Sequence, residues 1–448
     1  MASWLASALV LPLCGCLALS GQRASSVDTL RDSLPRDEPQ TIYDPSPVDP
    51  WNQLFHLLFT RTIAARVPAS DAVEFQAGDD RLKLSPRVVT RIESGDRAID
   101  PLYPSWLWMD SADFDQAVTG HWDILREPRY SRLVAALSEV RLTAPRRPPV
   151  ARALMQADLW AAYDMFHALL AASARDNSAQ WVERRRQCDV LLPLLAATIR
   201  DLALSRADIA QLPDTYAVGV RASGLPDLFG AGSGWLEVRW FAERMHDRAV
   251  SYRRVARVFI KPTRPPDDTV AFLNGLRDEA AVDAAGVDAA ALLIQTLLVS
   301  RDGAPVPSPL TYDVQIRTRD SGSIEGGIVQ YELSRRLLLS SPQMGGLSVF
   351  GHNAPAYLPV AGNDMGFASM PTGPGRQRPV LVSLRQRCAS CHFAGLGRLI
   401  TFSVKRDFRT APAPVEHLTA SANEHAGYVI ERKLASEDFR SLLRHWTR

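Results

Sequence analysis

The sequence predicts an α+β fold with a helical N-terminal half, a β-rich middle and a small C-terminal segment. Three observations carry this expectation. Apolar residues recur at helical spacing from residue 51 to about residue 225. Past the run Gly230-Ala231-Gly232-Ser233-Gly234 the period shortens to two. After a stretch at 351–379 crowded with Gly, Pro and Asn, the chain gathers a compact cysteine–histidine motif. The expected divisions are 1–16, an export signal; 17–50, a flexible tether; 51–225, helical; 226–360, β-rich and mixed; and 361–448, the C-terminal segment.

The first helix is expected to start at Asp49, which can cap it, with Pro50 in the first turn and Trp51, Leu54, Phe55, Leu58 and Phe59 on one face. A second places Met155, Leu159, Ala162, Phe166 and Leu169 together. A third begins near Ala179, with Trp181, Cys188, Leu192, Leu195, Ile199 and Leu202 in a stripe and a kink expected at Pro193. Ser205 with Asp208 three residues on marks another helix start. Leu236, Val238 and Trp240 alternate with charged residues, as do Tyr312, Val314, Ile316 and Thr318 with Asp313, Gln315 and Arg317, so both segments read as half-buried strands. Val255–Ile260 and Val329–Leu333 read as weaker strands. A helix is expected near 285–298, and a short helical tail at 429–446. The glycine cluster matches neither a dinucleotide nor a P-loop fingerprint and reads as a linker.

Composition narrows the function classes. With 46% hydrophobic and 22% charged residues the chain can bury an ordinary core. A net charge of +2 creates no long-range field that would favour nucleic acid, and none is expected as a partner. The triplet Arg184-Arg185-Arg186 reads as a solvated helix face. No H-E-x-x-H or G-x-S-x-G motif occurs, so hydrolase chemistry has no support.

The five cysteines fall into two tight pairs and one singleton, Cys188, which sits on an apolar stripe and reads as an inert buried thiol. The first pair lies in an export-like N-terminus. Leu5–Leu13 form a short apolar run, and Leu13-Cys14-Gly15-Cys16 resembles a bacterial lipobox, in which the last cysteine is acylated. Met1-Ala2-Ser3-Trp4 departs from the pattern by lacking a positive charge. The Ser-, Asp- and Pro-rich residues that follow suit a tether. The expected location is the periplasm, the outer membrane or the cell surface, with Cys16 as the lipidation site and the lipid membrane as a partner.

The second pair lies in Arg387-Cys388-Ala389-Ser390-Cys391-His392, a C-x-x-C-H motif. Two intervening residues place both sulfurs where they can form thioethers with the two vinyl groups of one haem, and the adjacent histidine can then ligate the iron. The chain here resembles the c-type cytochromes, and the resemblance covers this motif and little else. It implies one covalent haem c held by Cys388 and Cys391, His392 as axial iron ligand, electron transfer as the activity and a redox protein as partner. The chain departs from small cytochromes in having no methionine after His392. The sixth ligand would be Met370, which precedes Pro371 in the upstream loop, or Met365, His417 or His425, or the position would be open. His352, in the same loop, is a candidate distal residue, whereas His167, sharing a face with Trp160 and Tyr163, reads as a core histidine. Other readings of the motif remain: a Cys388–Cys391 disulfide in a non-redox surface lipoprotein, a thiol redox pair, or zinc, although no second cysteine pair completes a zinc site. An open iron position would instead suit a haem enzyme acting on peroxide or small ligands.

Overall fold

The computed structural model describes residues 42–63, 82–83, 105–108, 124–125, 127–173, 178–238, 253–276, 285–318, 327–350, 355–358, 380–383 and 422–446. The fold is α+β, as the periodicities predict, with helices packed against a six-stranded antiparallel sheet.

The chain enters through a knot of hydrogen bonds around Asn52. Its side chain accepts from the backbone N–H groups of Ile42 and Tyr43 and donates to the carbonyls of Asp44 and Ser46. Arg147 adds ion pairs to Asp44 and Asp49. One buried amide thus satisfies four backbone groups that would otherwise be lost from water. Helix α1 (Pro50–Phe59) follows, capped by Asp49 as expected, and Trp51, Leu54, Phe55, Leu58 and Phe59 are all buried. Next comes a small antiparallel sheet of β1 (Thr60–Ile63), β2 (Leu82–Lys83) and β3 (Ser105–Trp108), in spatial order β1-β3-β2. The helical periodicity of the surrounding sequence gives no sign of it.

Helices α2 (Arg129–Thr143), α3 (Pro149–Ser173) and α4 (Ala179–Leu202) form the helical body. The stripe read for α3 is buried at Met155, Leu159, Ala162, Phe166 and Leu169, and Pro193 lies inside α4. Arg184 stands over the Trp181 ring, and Arg186 pairs with Glu183 on the exposed face. Ser205 opens α5 (Arg206–Ala210) with the expected capping box to Asp208, and α6 (Thr215–Ala222) follows. The glycine run then turns the chain into the sheet, with Gly232 and Gly234 at φ +84° and +77°, which glycine adopts without steric cost.

The sheet runs β4 (Leu236–Glu237), β5 (Arg254–Pro262), β6 (Val287–Val299), β7 (Pro305–Thr318), β8 (Ile328–Leu333) and β9 (Leu347–Phe350), each pairing with the next. The segment near 285–298, expected as a helix, is strand β6. Its Ala- and Leu-rich sequence favours helix locally, by at most a few tenths of a kcal/mol per residue. Ala291 and Leu293 join one buried cluster and Val287 and Ala290 another, so both faces are covered and the alternation that marks a half-buried strand is lost. A helix α7 (Thr269–Gly275) lies between β5 and β6 in sequence.

Register sorts the side chains into two faces. Phe259, Ala291, Leu293, Val314, Ile316, Tyr331 and Leu333 share the inner face and pack with Leu154 of α3, Ile209 of α5 and Tyr216 of α6. On the outer face Val258, Ile260 and Ala290 pack with Leu273 of α7. Helix α8 (Arg335–Ser340) follows β8, and β10 (Pro355–Leu358) pairs with β11 (Val380–Ser383). The expected helical tail is two helices, α9 (Ala422–Ala435) and α10 (Glu437–Trp446), which meet at Ser436. Val429, Phe439, Leu442 and Trp446 join one core with α1–α4 and with Val255, Leu297 and Val299 of the sheet. Among the described residues, no helix is long and apolar enough to cross a membrane.

Candidate functional site

The residues named for haem and lipid attachment, Cys388, Cys391, His392, Met370 and Cys16, lie outside the described residues, as do Met365, His352 and His417. Their chain neighbours are placed: β11 ends at Ser383, and α9 begins at Ala422. His425 falls in α9. The motif therefore lies on a segment whose downstream end enters a helix anchored in the core.

The anchor is a buried ion cluster. Asp164 of α3 accepts from Arg253, just before β5, and from Lys433 of α9, each at 2.8 Å. Lys433 also reaches Asp438 at the start of α10. The side chains of Asp164, Arg253 and Lys433 are 6%, 4% and 1% exposed, so all three charges are out of water. Lys433 Nζ also lies 5.5 Å from the centre of the Trp160 ring. Two cations thus meet two carboxylates, and the cluster is formally neutral. Helix α3, the start of β5 and the adjoining α9 and α10 are tied together there.

The two carboxylates respond in opposite directions. Burial raises the Asp164 carboxyl above its usual range despite the charges of Lys433 and Arg253, and its Oδ1 is buried with no hydrogen-bond partner. Burial also pushes Asp438 upward, but Lys433's charge and hydrogen bonds from Lys433, Ser436 and the Phe439 amide outweigh it and bring it to about 2. By linkage, Asp438 contributes stability that is present above the ordinary carboxylate range and is lost as pH falls toward 2. Asp164 has the opposite sign: its contribution declines as pH rises through its raised native value.

Beside the cluster, Tyr163 holds α10 from the other side. Its hydroxyl donates to Ser441 Oγ at 3.0 Å and lies 3.1 Å from His445 Nδ1, and burial pushes the phenol up to about 12. His167, expected in the core, is half-buried at its margin and stacks on Tyr163. Cys188 is a free, buried thiol, as the sequence predicts, and burial raises it to about 12. A thiol held that far up carries almost no thiolate at neutral pH. Native protein is therefore expected to leave Cys188 unalkylated by iodoacetamide at pH 8, with labelling only after denaturation. Peptide mass mapping of the two samples checks this, and rapid native labelling would contradict the burial.

A second buried pair sits nearly two turns earlier on α3. Arg335 grips both oxygens of Asp158, at 2.6 and 3.2 Å, and Tyr43 donates to the same carboxylate at 3.2 Å. Between these two ion clusters, α3 and the sheet line a partly open cavity of about 20 Å³ whose lining includes Asp158, Arg253, Arg254 and Arg335. That volume holds a water-sized group and is far too small for a porphyrin. Among the described residues no cluster of three or more His, Cys, Asp or Glu is placed to hold a metal.

Comparison with family models, curated proteins and solved structures gives no match for this chain. The sequence reading passed over Asp164, Arg253, Lys433 and Asp438. A signal was present: Asp164 interrupts an apolar run between Tyr163 and Met165, and Lys433 is one of only four lysines. A buried acid of that kind requires a cation partner, although nothing in its spacing says which.

Proposed function

We propose that this chain is an exported, lipid-tethered, c-type cytochrome-like protein that carries one haem and transfers electrons to a partner protein. The observation that carries the reading is Cys388-Ala389-Ser390-Cys391-His392. Its donor set of two thiols and one imidazole suits haem c: Cys388 and Cys391 would each hold the group through one thioether, and the His392 imidazole would supply an iron ligand. A bound haem c supplies a one-electron iron couple whose potential follows its axial ligands, burial and hydrogen bonding. The ion cluster supports the reading by fixing the helix that follows that segment.

An optical spectrum of protein made in cells with haem-attachment machinery tests the proposal. A c-type spectrum that survives denaturation supports it, and a colourless protein rejects it. A second reading, a haem enzyme with an open iron position, is favoured by one observation: the segment after His392 contains no methionine. Carbon monoxide binding to the ferrous protein would select that reading over the electron carrier.

Two site assignments have their own tests. With Met370 opposite His392, the oxidised protein is expected to show the weak red-end band of methionine–iron ligation, lost in Met370→Ala and kept in Met365→Ala. A wild-type spectrum without that band would point to His417, His425 or an open site. With Cys16 acylated, labelled fatty acid should incorporate into the wild type, and Cys16→Ser should yield soluble or unprocessed protein. Absence of label in the wild type would refute the lipid anchor.

A further inference from the structure

The two most exposed large apolar side chains among the described residues stand at one corner of the fold. Val48 is 76% exposed and Leu142 is 70% exposed. They come from separate segments, the entry before α1 and the end of α2, and their chain neighbours are fastened to each other. Thr143, next to Leu142, accepts from Trp51 Nε1 at 2.9 Å, and Arg147 pairs with Asp44 and with Asp49, next to Val48. Pro45, Pro47 and Pro145, in the same two stretches of chain, are exposed as well. Single apolar residues are ordinary on a protein surface, but two at this exposure on joined segments make a patch. Proline has no backbone N–H, so these stretches have fewer donors to lose from water when covered.

Charge does not oppose such covering. Arg147 is paired with Asp44 and Asp49, and Arg141 and Arg200 with Asp201. Arg146 and Glu139, both exposed, add one charge of each sign. The corner is formally neutral and has no field that would draw in a polyanion or an acidic protein.

Position supplies the occupant. The chain enters the described core at this corner, where Asn52 holds the backbone of Ile42 and Tyr43. Only residues 17–41 separate Ile42 from Cys16. A chain of that length spans at most about 90 Å when fully extended. A link this short holds what it joins at an effective concentration on the order of millimolar, so a patch too small to bind a bilayer alone can stay on one.

We propose that this corner is the face the protein lays on its membrane, with Val48 and Leu142 entering the headgroup layer of a phospholipid bilayer. The inference rests on the lipid anchor at Cys16 and adds an orientation to it. Apolar burial drives the contact, since the corner brings no net charge to it.

Hydroxyl-radical footprinting of the full chain, read by peptide mass spectrometry, tests this. It compares acylated protein on phosphatidylcholine vesicles with the Cys16→Ser protein in solution. Val182 and Val190, each 50% exposed, serve as the internal reference. Tyr130, in the first turn of α2, reaches the carbonyl of Gln187 between them, so the length of α2, about 20 Å, separates them from Leu142. On vesicles, oxidation of Val48 and Leu142 relative to that reference should fall about threefold. In acylated Leu142→Glu on the same vesicles, Val48 should keep its solution reactivity. Unchanged ratios on anchored protein would overturn the orientation and leave the anchor standing, whereas wild-type protein that does not co-float with vesicles would overturn both. Loss of reactivity at both residues in Cys16→Ser protein as its concentration is raised without lipid would overturn the proposal and assign the corner to a second copy.

Discussion

Lys433→Met is expected to destabilise the protein by about 3–5 kcal/mol, a loss of more than a hundredfold in the folding equilibrium constant. Lys433 is 1% exposed and divides its charge between Asp164 and Asp438. Methionine fills similar volume, so the loss would come from charge and not from a cavity. Without the ammonium, Asp164 keeps only Arg253, Asp438 loses its cation, and the cluster holds a net negative charge away from water. The comparison is Arg186→Met, whose partner Glu183 is half exposed; solvent screens such a pair, and its loss should leave the midpoint nearly unchanged. Urea unfolding of the two variants measures the contrast. Equal midpoints would mean that the buried cluster does not hold α9 and α10 in place.

The second large effect is expected at the cysteine pair. Cys388→Ala with Cys391→Ala should remove covalent haem entirely, because each sulfur supplies one thioether. Each single replacement should leave one bond and a lower yield of haem-bearing protein. Haem staining after denaturing electrophoresis reads this directly. In the disulfide reading neither the wild type nor any variant stains, and the double variant loses only a local staple. In the carrier reading the described core is expected to keep its fold, since the ion cluster and the shared apolar core tie its helices to the sheet.

Much of the fold was legible because most elements bury one face. The stripe on α3, the Ser205–Asp208 box and the alternation from Tyr312 to Thr318 each carry a local signature of their structure. Strand β6 was illegible because apolar clusters cover both of its faces; the pairing of its edges to β5 and β7 reveals it. The β1–β3–β2 sheet was missed because its short strands are joined across long stretches of sequence. The same holds for the ion cluster. Asp164 and Lys433 are 269 positions apart, and no local pattern pairs them. The cysteine–histidine motif was the opposite case: its chemistry is fully local, readable in six residues, while its placement lies outside the described residues.

Covalent haem at Cys388 and Cys391 would be visible in the intact mass of the wild-type protein. The protein should be purified from cells that express haem-attachment machinery and denatured before measurement. The expected mass is increased by one haem, localised by fragmentation to the peptide carrying Cys388, Cys391 and His392. A mass without added haem under those conditions, or one lighter by the two hydrogens of a Cys388–Cys391 disulfide, would contradict it.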